Sequence, residues 1–320
     1  MRMPAAPLLQ RIKMATQLAP LPEVERLSPA CIRIMGANPG KFTLQGTNTY
    51  LVGTGPKRLL IDTGEGKPAW IAALKRVLEE EKASIASAIL THWHKDHTGG
   101  VPDLLAAWPG TPVYKNQPDA GQLDIADGQQ FRVEGASLTA HHTPGHTTDH
   151  MVLVWAEEGA MFTGDNVLGH GTAVFEDLAT YLASLDKMRR LYGAIGTTTK
   201  QGRAYPGHGA ALADGPAKIS EYIRHRQQRE EQVVQTLRSE KNPGANSTTT
   251  TTTTTTSNNN AWTVMELVRS IYRDVPETLH PAAANGVVQI LQKLRQEGRV
   301  AVSADGERWS VVLGSGRPAL

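Results

Sequence analysis

Hydrophobic and polar positions divide the chain into strand-like and helix-like segments. Short apolar or β-branched runs at 49–52, 58–61, 86–90, 112–114, 138–141, 151–155 and 160–162 predict strands. Helical spacing predicts helices over 68–82, 181–191 and 217–240. In the first of these, Trp70, Ile71, Leu74, Val77 and Leu78 share one stripe, while Lys75, Arg76 and Glu79 fall elsewhere. Strands in two β-rich halves with interspersed helices predict an α/β catalytic domain over 28–240.

The pattern changes after this domain. Asn242-Pro243-Gly244 leads into a threonine run from Thr248 to Thr256, closed by Ser257 and Asn258 to Asn260. A homopolymer without alternation has no apolar face to bury, so 241–260 is expected to be a disordered linker. Regular patterning returns over 261–320. Thr263 is placed to cap a helix carrying Val264, Leu267, Val268 and Ile271. A second helix over 282–297 carries Val287, Val288, Ile290, Leu291 and Leu294. Strands at 300–302 and 309–313 flank a turn at Asp305-Gly306, predicting a small winged-helix-like domain. Residues 1–27 read as a tail, with at most a short helix.

Composition narrows the function classes. Over 320 residues, 33 Lys and Arg nearly balance 31 Asp and Glu, so the chain lacks the broad basic field of many nucleic-acid binders. The C-terminal unit is also near balance, which weakens a nucleic-acid role for its winged-helix pattern. No apolar stretch reaches membrane-spanning length. The single cysteine, Cys31, excludes an internal disulfide and suits a reducing compartment, so a cytoplasmic location is expected. Arg2, Arg11 and Lys13 precede the first acid, Glu23, which faintly resembles a presequence, but the prolines favour a plain tail. Neither a Gly-x-Ser-x-Gly elbow nor a P-loop occurs, which leaves serine hydrolase and NTPase chemistry unsupported.

The candidate chemistry lies in histidine and aspartate. Thr91-His92-Trp93-His94-Lys95-Asp96-His97 places three imidazoles and a carboxylate within six residues, after the apolar segment 85–90. In an extended continuation His92 and His94 share a face, whereas Asp96 and His97 turn toward a second point. That spacing suits two metal ions better than one. Three further segments put histidine or aspartate in Gly- or Pro-containing turns. They are His141-His142-Thr143-Pro144-Gly145-His146 (continuing to His150), Thr163-Gly164-Asp165-Asn166, and Tyr205-Pro206-Gly207-His208-Gly209. His141, His142, His225 and His280 read as surface or structural residues. His150 is a candidate support behind the ligands, and His170 a candidate pocket residue.

These motifs resemble those of the metallo-β-lactamase superfamily from about residue 33 to 238. The resemblance implies an αββα sandwich with metals at one sheet edge. It implies one zinc held by His92, His94 and His146, another by Asp96, His97 and His208, and Asp165 bridging both. Manganese or iron is the alternative to zinc in such mixed nitrogen and carboxylate sites. Asp62, in Leu60-Ile61-Asp62-Thr63-Gly64, matches a residue that steadies the metal-binding loop. Asp96 doubles as a possible proton acceptor. Water between two such ions would ionise near neutral pH. Asp165 stands where some β-lactamases of the superfamily use cysteine, which implies the hydrolase and thioesterase branch.

Two branches pair this domain with a C-terminal helical unit. Gln45-Gly46-Thr47-Asn48-Thr49-Tyr50-Leu51-Val52 and the segment 171–178 resemble both. Segments 61–66, 164–171 and 202–209 resemble the fungal atrochrysone carboxyl carrier-protein thioesterases more closely than the β-lactamase-like endoribonucleases of single-stranded RNA. The resemblance implies hydrolysis of an aromatic polyketide thioester on the acyl carrier protein of a non-reducing polyketide synthase, without a covalent acyl-enzyme. The alternative is a single-strand-specific endoribonuclease.

Overall fold

The computed structural model describes residues 18–195, 202–239 and 261–312. The expected linker over 241–260 and the first seventeen residues of the expected tail lie outside the described residues. Two compact units are present. The first extends to Glu176 and includes Thr180–Ser220; the second comprises Asp177–Ala179 and the chain from Glu221 onward.

The first unit contains two sheets. One runs in chain order through β1 (Val24–Ser28), β2 (Cys31–Met35), β3 (Asn48–Val52), β4 (Lys57–Ile61), β5 (Ser84–Leu90) and β6 (Val113–Lys115). The pairs from β1 to β4 are antiparallel, and β4, β5 and β6 are parallel. Parallel neighbours need a crossover. Helix α1 (Pro68–Glu80) supplies it between β4 and β5; α2 (Lys95–Thr98) and α3 (Val101–Ala107) supply it between β5 and β6. The second sheet contains β7 (Gln130–Val133), β8 (Ala136–His142), β9 (Met151–Trp155), β10 (Ala160–Gly164) and β11 (Ala204–Pro206), ordered β11-β10-β9-β8-β7. Only β10 and β11 pair in parallel here, and α4 (Leu178–Ala194) lies between them in sequence.

Strand alternation divides the core. Tyr50, Val52, Leu59, Ile61 and Ile89 of the first sheet pack with Leu138, Leu153, Trp155, Phe162 and Tyr205 of the second. The intervening Leu51, Leu60, Ala88 and Leu90 face the other way, onto Trp70, Leu74, Val77 and Leu78 of α1. With both faces covered, β3 and most of β4 are buried along their length, which explains their continuous apolar runs. The Trp70 indole donates to the Thr49 hydroxyl at 2.9 Å and ties α1 to β3.

The structure adds strands that the apolar pattern does not announce: β1, β2, β7 and β11. β1 is a half-exposed edge strand carrying Glu25 and Arg26, so residues 24–27 belong to the sheet rather than to the tail. β5 stops at Leu90, which corrects the expectation of an extended continuation through His92 and His94. A bend carries both, and His94 precedes α2.

The second unit carries the winged-helix arrangement. Helices α6 (Val264–Ile271) and α7 (His280–Gln296) join β12 (Trp262–Thr263), β13 (Val300–Val302) and β14 (Arg308–Val311), ordered β12-β14-β13. Thr263 caps α6: its hydroxyl accepts from the Glu266 amide at 3.2 Å, and the Glu266 carboxylate accepts from the Thr263 amide at 2.7 Å. Leu267, Val268, Val287, Leu291 and Leu294 are fully buried. α5 (Gly215–Arg238) begins in the first unit and continues in the second, where the Glu230 carboxylate accepts from Lys293 at 2.7 Å and also pairs with Arg299. His280 is buried, with Nε2 within 3.3 Å of the Tyr272 and Val275 carbonyls, a structural placement. Among the described residues no helix is long and apolar enough to cross a membrane.

Candidate metal centre

Four loops leave the sheets at one edge and bring their polar side chains together. The loop after β5 carries His92, His94, Asp96 and His97; those after β8, β10 and β11 carry His146, Asp165 and His208. Three groupings have ligand atoms within 4.8 Å of one another: His92, His94 and His146; Asp96, His97 and His208; and His92, His97 and Asp165. All seven sequence-predicted ligands therefore meet, and Asp62 lies directly behind them.

Hydrogen bonds on the outer side fix which ring nitrogen faces inward. Asp62 accepts from the Thr91 amide at 2.8 Å, the Thr91 hydroxyl at 2.9 Å and His97 Nδ1 at 2.8 Å. The Thr91 proton is thus committed to Asp62, so the hydroxyl oxygen accepts from His92 Nδ1 at 3.0 Å. His146 Nδ1 donates to the Val174 carbonyl at 2.8 Å, and His208 Nδ1 to the Gly46 carbonyl at 3.3 Å. Each of these four rings consequently turns Nε2 to the interior. His94 presents Nδ1 instead, which lies 3.0 Å from His92 Nε2 and 3.1 Å from His146 Nε2. The bend after β5 makes this possible, because it rotates His94 relative to His92.

The carboxylates lie between the imidazoles. Asp165 Oδ1 is 3.5 Å from His97 Nε2, and Oδ2 is 3.2 Å from His208 Nε2 and 3.7 Å from His146 Nε2. Asp165 Oδ1 is buried without a hydrogen-bond partner. Asp96 Oδ2 lies 3.1 Å from His208 and 3.3 Å from His97, and accepts from the Thr47 hydroxyl at 3.2 Å. His150 is fully buried, and its Nε2 accepts from the Asp165 backbone amide at 3.1 Å. It therefore aims the Asp165 loop rather than joining the inner ring. At Gly207 even one added carbon would stand 2.2 Å from Asp165 Oδ1, so this close approach requires glycine.

Proton affinities follow from this packing. Burial drives the imidazoles of His92, His94 and His150 below their ordinary range, reinforced by neighbouring histidines. Burial also disfavours charge at His97 and His208, but Asp165 outweighs it, with Asp62 aiding at His97 and Asp96 at His208. His97 is raised well above its usual value and His208 is raised to about 9. Burial acts upward on Asp165 and Asp96, yet His97 and His208 hold both carboxyls far below the normal range.

Converging ring nitrogens at 3.0–3.3 Å, a buried carboxylate oxygen without a hydrogen-bond partner and an outward Nδ1 proton on four rings form a donor set whose chemistry fits metal ions held between its members. Cys31 takes no part: it is buried in the core between the sheets.

Above the cluster is a cavity of about 380 Å³. Phe42, Leu44, Leu168, Ala173, Val174 and Phe175 supply most of its wall, and His94, Asp96, His146, Asp165 and His208 its floor. His170 lines this cavity. His142 Nε2 instead meets the Thr148 carbonyl at 2.8 Å, and His141 Nδ1 lies 3.7 Å from Asp127. Sequence reasoning missed Thr47, Thr91 and the two carbonyls that orient His146 and His208. The hydroxyl directly before His92 was a readable signal for Thr91; the carbonyls had none.

Comparison with known proteins agrees with this architecture. The family model described as the metallo-beta-lactamase superfamily matches residues 42–120 and 112–208, and that of the beta-lactamase associated winged helix domain matches 263–309. The chain is 47% identical over 304 residues to "Atrochrysone carboxyl ACP thioesterase" of Aspergillus chevalieri, covering 93% of this chain and 92% of that one. It is 45% identical to "Lactamase-like protein aptB" of Emericella nidulans, covering 91% and 90%. Among solved structures, a beta-lactamase domain protein from Burkholderia ambifaria superimposes with a TM-score of 0.71 at 15% identity, covering 93% of this chain and 96% of that one. A metallo-beta-lactamase family protein from Thermus thermophilus gives 0.63 at 22% identity, covering 90% and 100%. Sheet order, the loops gathered at one edge and the matched sequence together show that this chain belongs to the metallo-β-lactamase superfamily.

Proposed function

We propose that this protein is a dinuclear metal-dependent thioesterase that frees an aromatic polyketide, as a carboxylic acid such as atrochrysone carboxylic acid, from the acyl carrier protein of a non-reducing polyketide synthase. The observation that carries the reading is the apolar cavity seated on the histidine–aspartate cluster. Its walls suit an apolar acyl group. A single-stranded RNA needs several cations along its path, and Lys41 is the one Lys or Arg among the described residues lining this cavity. High identity to a fungal protein named as a carrier-protein thioesterase supports the same choice of substrate.

In this reading His92, His94 and His146 hold one ion and Asp96, His97 and His208 the other, with Asp165 shared. Zinc is the ion that the nitrogen and carboxylate donors suit best. Bound there, such ions supply an acidified water as nucleophile and a Lewis acid for the thioester carbonyl. The chain provides the rest. Asp62 and Thr91 keep His92 and His97 in the tautomer that offers Nε2 inward. Asp96 borders the cavity, and in this reading it relays a proton only transiently as water adds to the carbonyl, because its low proton affinity suits it to holding an ion. Phe42, Val174 and Phe175 exclude water around the acyl group. The departing thiolate is a good leaving group, so no strong general acid is required. We assign catalysis to the domain ending near residue 240, in the cytoplasm beside the synthase.

The test is a paired assay on one metal-loaded preparation. It offers a carrier protein bearing an aromatic polyketide thioester and, separately, a labelled single-stranded RNA. Chelator-sensitive release of free acid with intact RNA is expected. RNA cleavage with an untouched thioester would overturn the reading.

A further inference from the structure

Behind the loop that carries His146 lies a charge pair to which the catalytic scheme gives no role. Lys115, the last residue of β6, is 3% exposed, and Asp149 is 1% exposed. Lys115 Nζ donates to Asp149 Oδ2 at 2.9 Å, the Gln117 carbonyl at 2.6 Å and the Asn116 carbonyl at 3.2 Å. All three ammonium protons are therefore committed. Asp149 Oδ1 accepts from the Thr147 hydroxyl at 2.7 Å. Gln117, whose carbonyl helps to enclose the ammonium, sits in the left-handed backbone region at φ 54°.

The position of the pair gives it meaning. Asp149 stands between His146, which faces the His94 nitrogen, and His150, which accepts from the Asp165 amide. Lys115 is paired in register with Leu90, the residue after which the chain bends into Thr91 and His92. The same loop is stitched to that bend by the Met151 amide donating to the Thr91 carbonyl at 2.8 Å. Two buried charges thus join the end of the first sheet to a loop of the second, at a point flanked by one inner-ring histidine and the histidine that aims Asp165.

We infer that Lys115 and Asp149 are positioning residues that hold His146 and His150 at their working distance, so that the pair sets metal affinity at the His92, His94 and His146 site. A structural pair of this burial could be replaced by well-packed apolar side chains at little or no loss of stability. A positioning pair could not be so replaced without loosening the histidine loop, because apolar side chains direct neither the Thr147 hydroxyl nor the turn at Gln117. The site held by Asp96, His97 and His208 has further anchors in Asp62, Thr47 and Gly46, and the pair reaches it only through the shared Asp165 that His150 aims, so it is the less affected of the two.

The inference rests on His146 being a metal ligand, and the experiment separates the two. Zinc per chain is measured by elemental analysis after dialysis at a series of buffered free-zinc concentrations, with thermal unfolding recorded alongside. The proteins are wild type, His146→Ala, Lys115→Met and the double variant Lys115→Met/Asp149→Leu. Wild type should hold two zinc ions, and His146→Ala one; two ions retained in His146→Ala would overturn the ligand assignment itself. With that assignment upheld, the double variant should unfold near the wild-type temperature, keep one tight zinc, and bind the other about 10–100-fold more weakly, the range found when groups supporting metal ligands are removed. Lys115→Met alone leaves a buried carboxylate and should both lose that zinc and unfold earlier. Wild-type affinity for both ions in the double variant, or its failure to fold, would overturn the positioning role.

Discussion

At the scale of single residues, the site depends on where protons reside. Asp62 orients two imidazoles through three accepted hydrogen bonds, and it does so from a left-handed backbone position, φ 57°. Asp62→Ala should weaken metal binding by about 10–100-fold, read by competition with a chromophoric chelator, because His92 and His97 lose their fixed tautomer. Asp165→Ala should deplete bound metal and abolish hydrolysis while circular dichroism stays native; full activity in this variant would rule out a shared ligand. The raised affinities of His97 and His208 give a signed pH dependence. His208, raised to about 9, holds an extra proton at neutral pH in metal-free protein, and His97 beside it is raised in the same direction, so an entering ion must displace a proton from this pair. Metal uptake at pH 7 should therefore release protons, measurable by calorimetry in buffers of different ionisation enthalpy. Affinity should fall steadily as pH is lowered from about 9. A pH-independent affinity would contradict the raised proton affinity of His208.

At the scale of elements, the site is made by loops, and the elements hold them apart or together. Gly145 sits at φ 128°, and a Cβ there would stand 2.4 Å from the Tyr181 backbone at the start of α4. Gly145→Ala should displace either α4 or the His146 loop and lower the unfolding midpoint by several degrees, as seen by calorimetry. The strongest periodic elements were legible in sequence: the stripe of α1, the apolar runs of β3, β4, β5 and β9, and the Thr263 cap. β1, β2, β7 and β11 were not, because Arg26 and Arg33 break the apolar pattern of the first two, while the last two are only four and three residues long. Arg33 illustrates the difficulty: it reads as polar, yet it is 1% exposed and paired with Glu25 across the strand pair. All the residues of the inner ring could be read from spacing and resemblance. Their orientation could not, since it depends on a bend after Leu90 and on the Gly46 and Val174 carbonyls, which are remote in sequence from the rings they hold.

At the scale of the whole molecule, the two sheets bury a continuous core and leave the chemistry at one edge beneath an apolar cavity. Phe42 and Val174, at this cavity, are the two most exposed of the large apolar side chains among the described residues, and in the proposed function they offer the acyl group its first apolar contact. Phe42→Asp should raise KM for an aromatic thioester about tenfold or more with little change in bound metal, because it alters the wall and leaves the floor intact. The central claim is that hydrolysis proceeds at a two-ion centre. Its most direct test is a titration of metal-stripped protein with zinc, following both bound zinc and single-turnover hydrolysis of a carrier-bound aromatic thioester. Activity should be absent without metal and reach its plateau at two equivalents per chain. Undiminished hydrolysis by the stripped protein, or a plateau reached at one equivalent, would contradict the account.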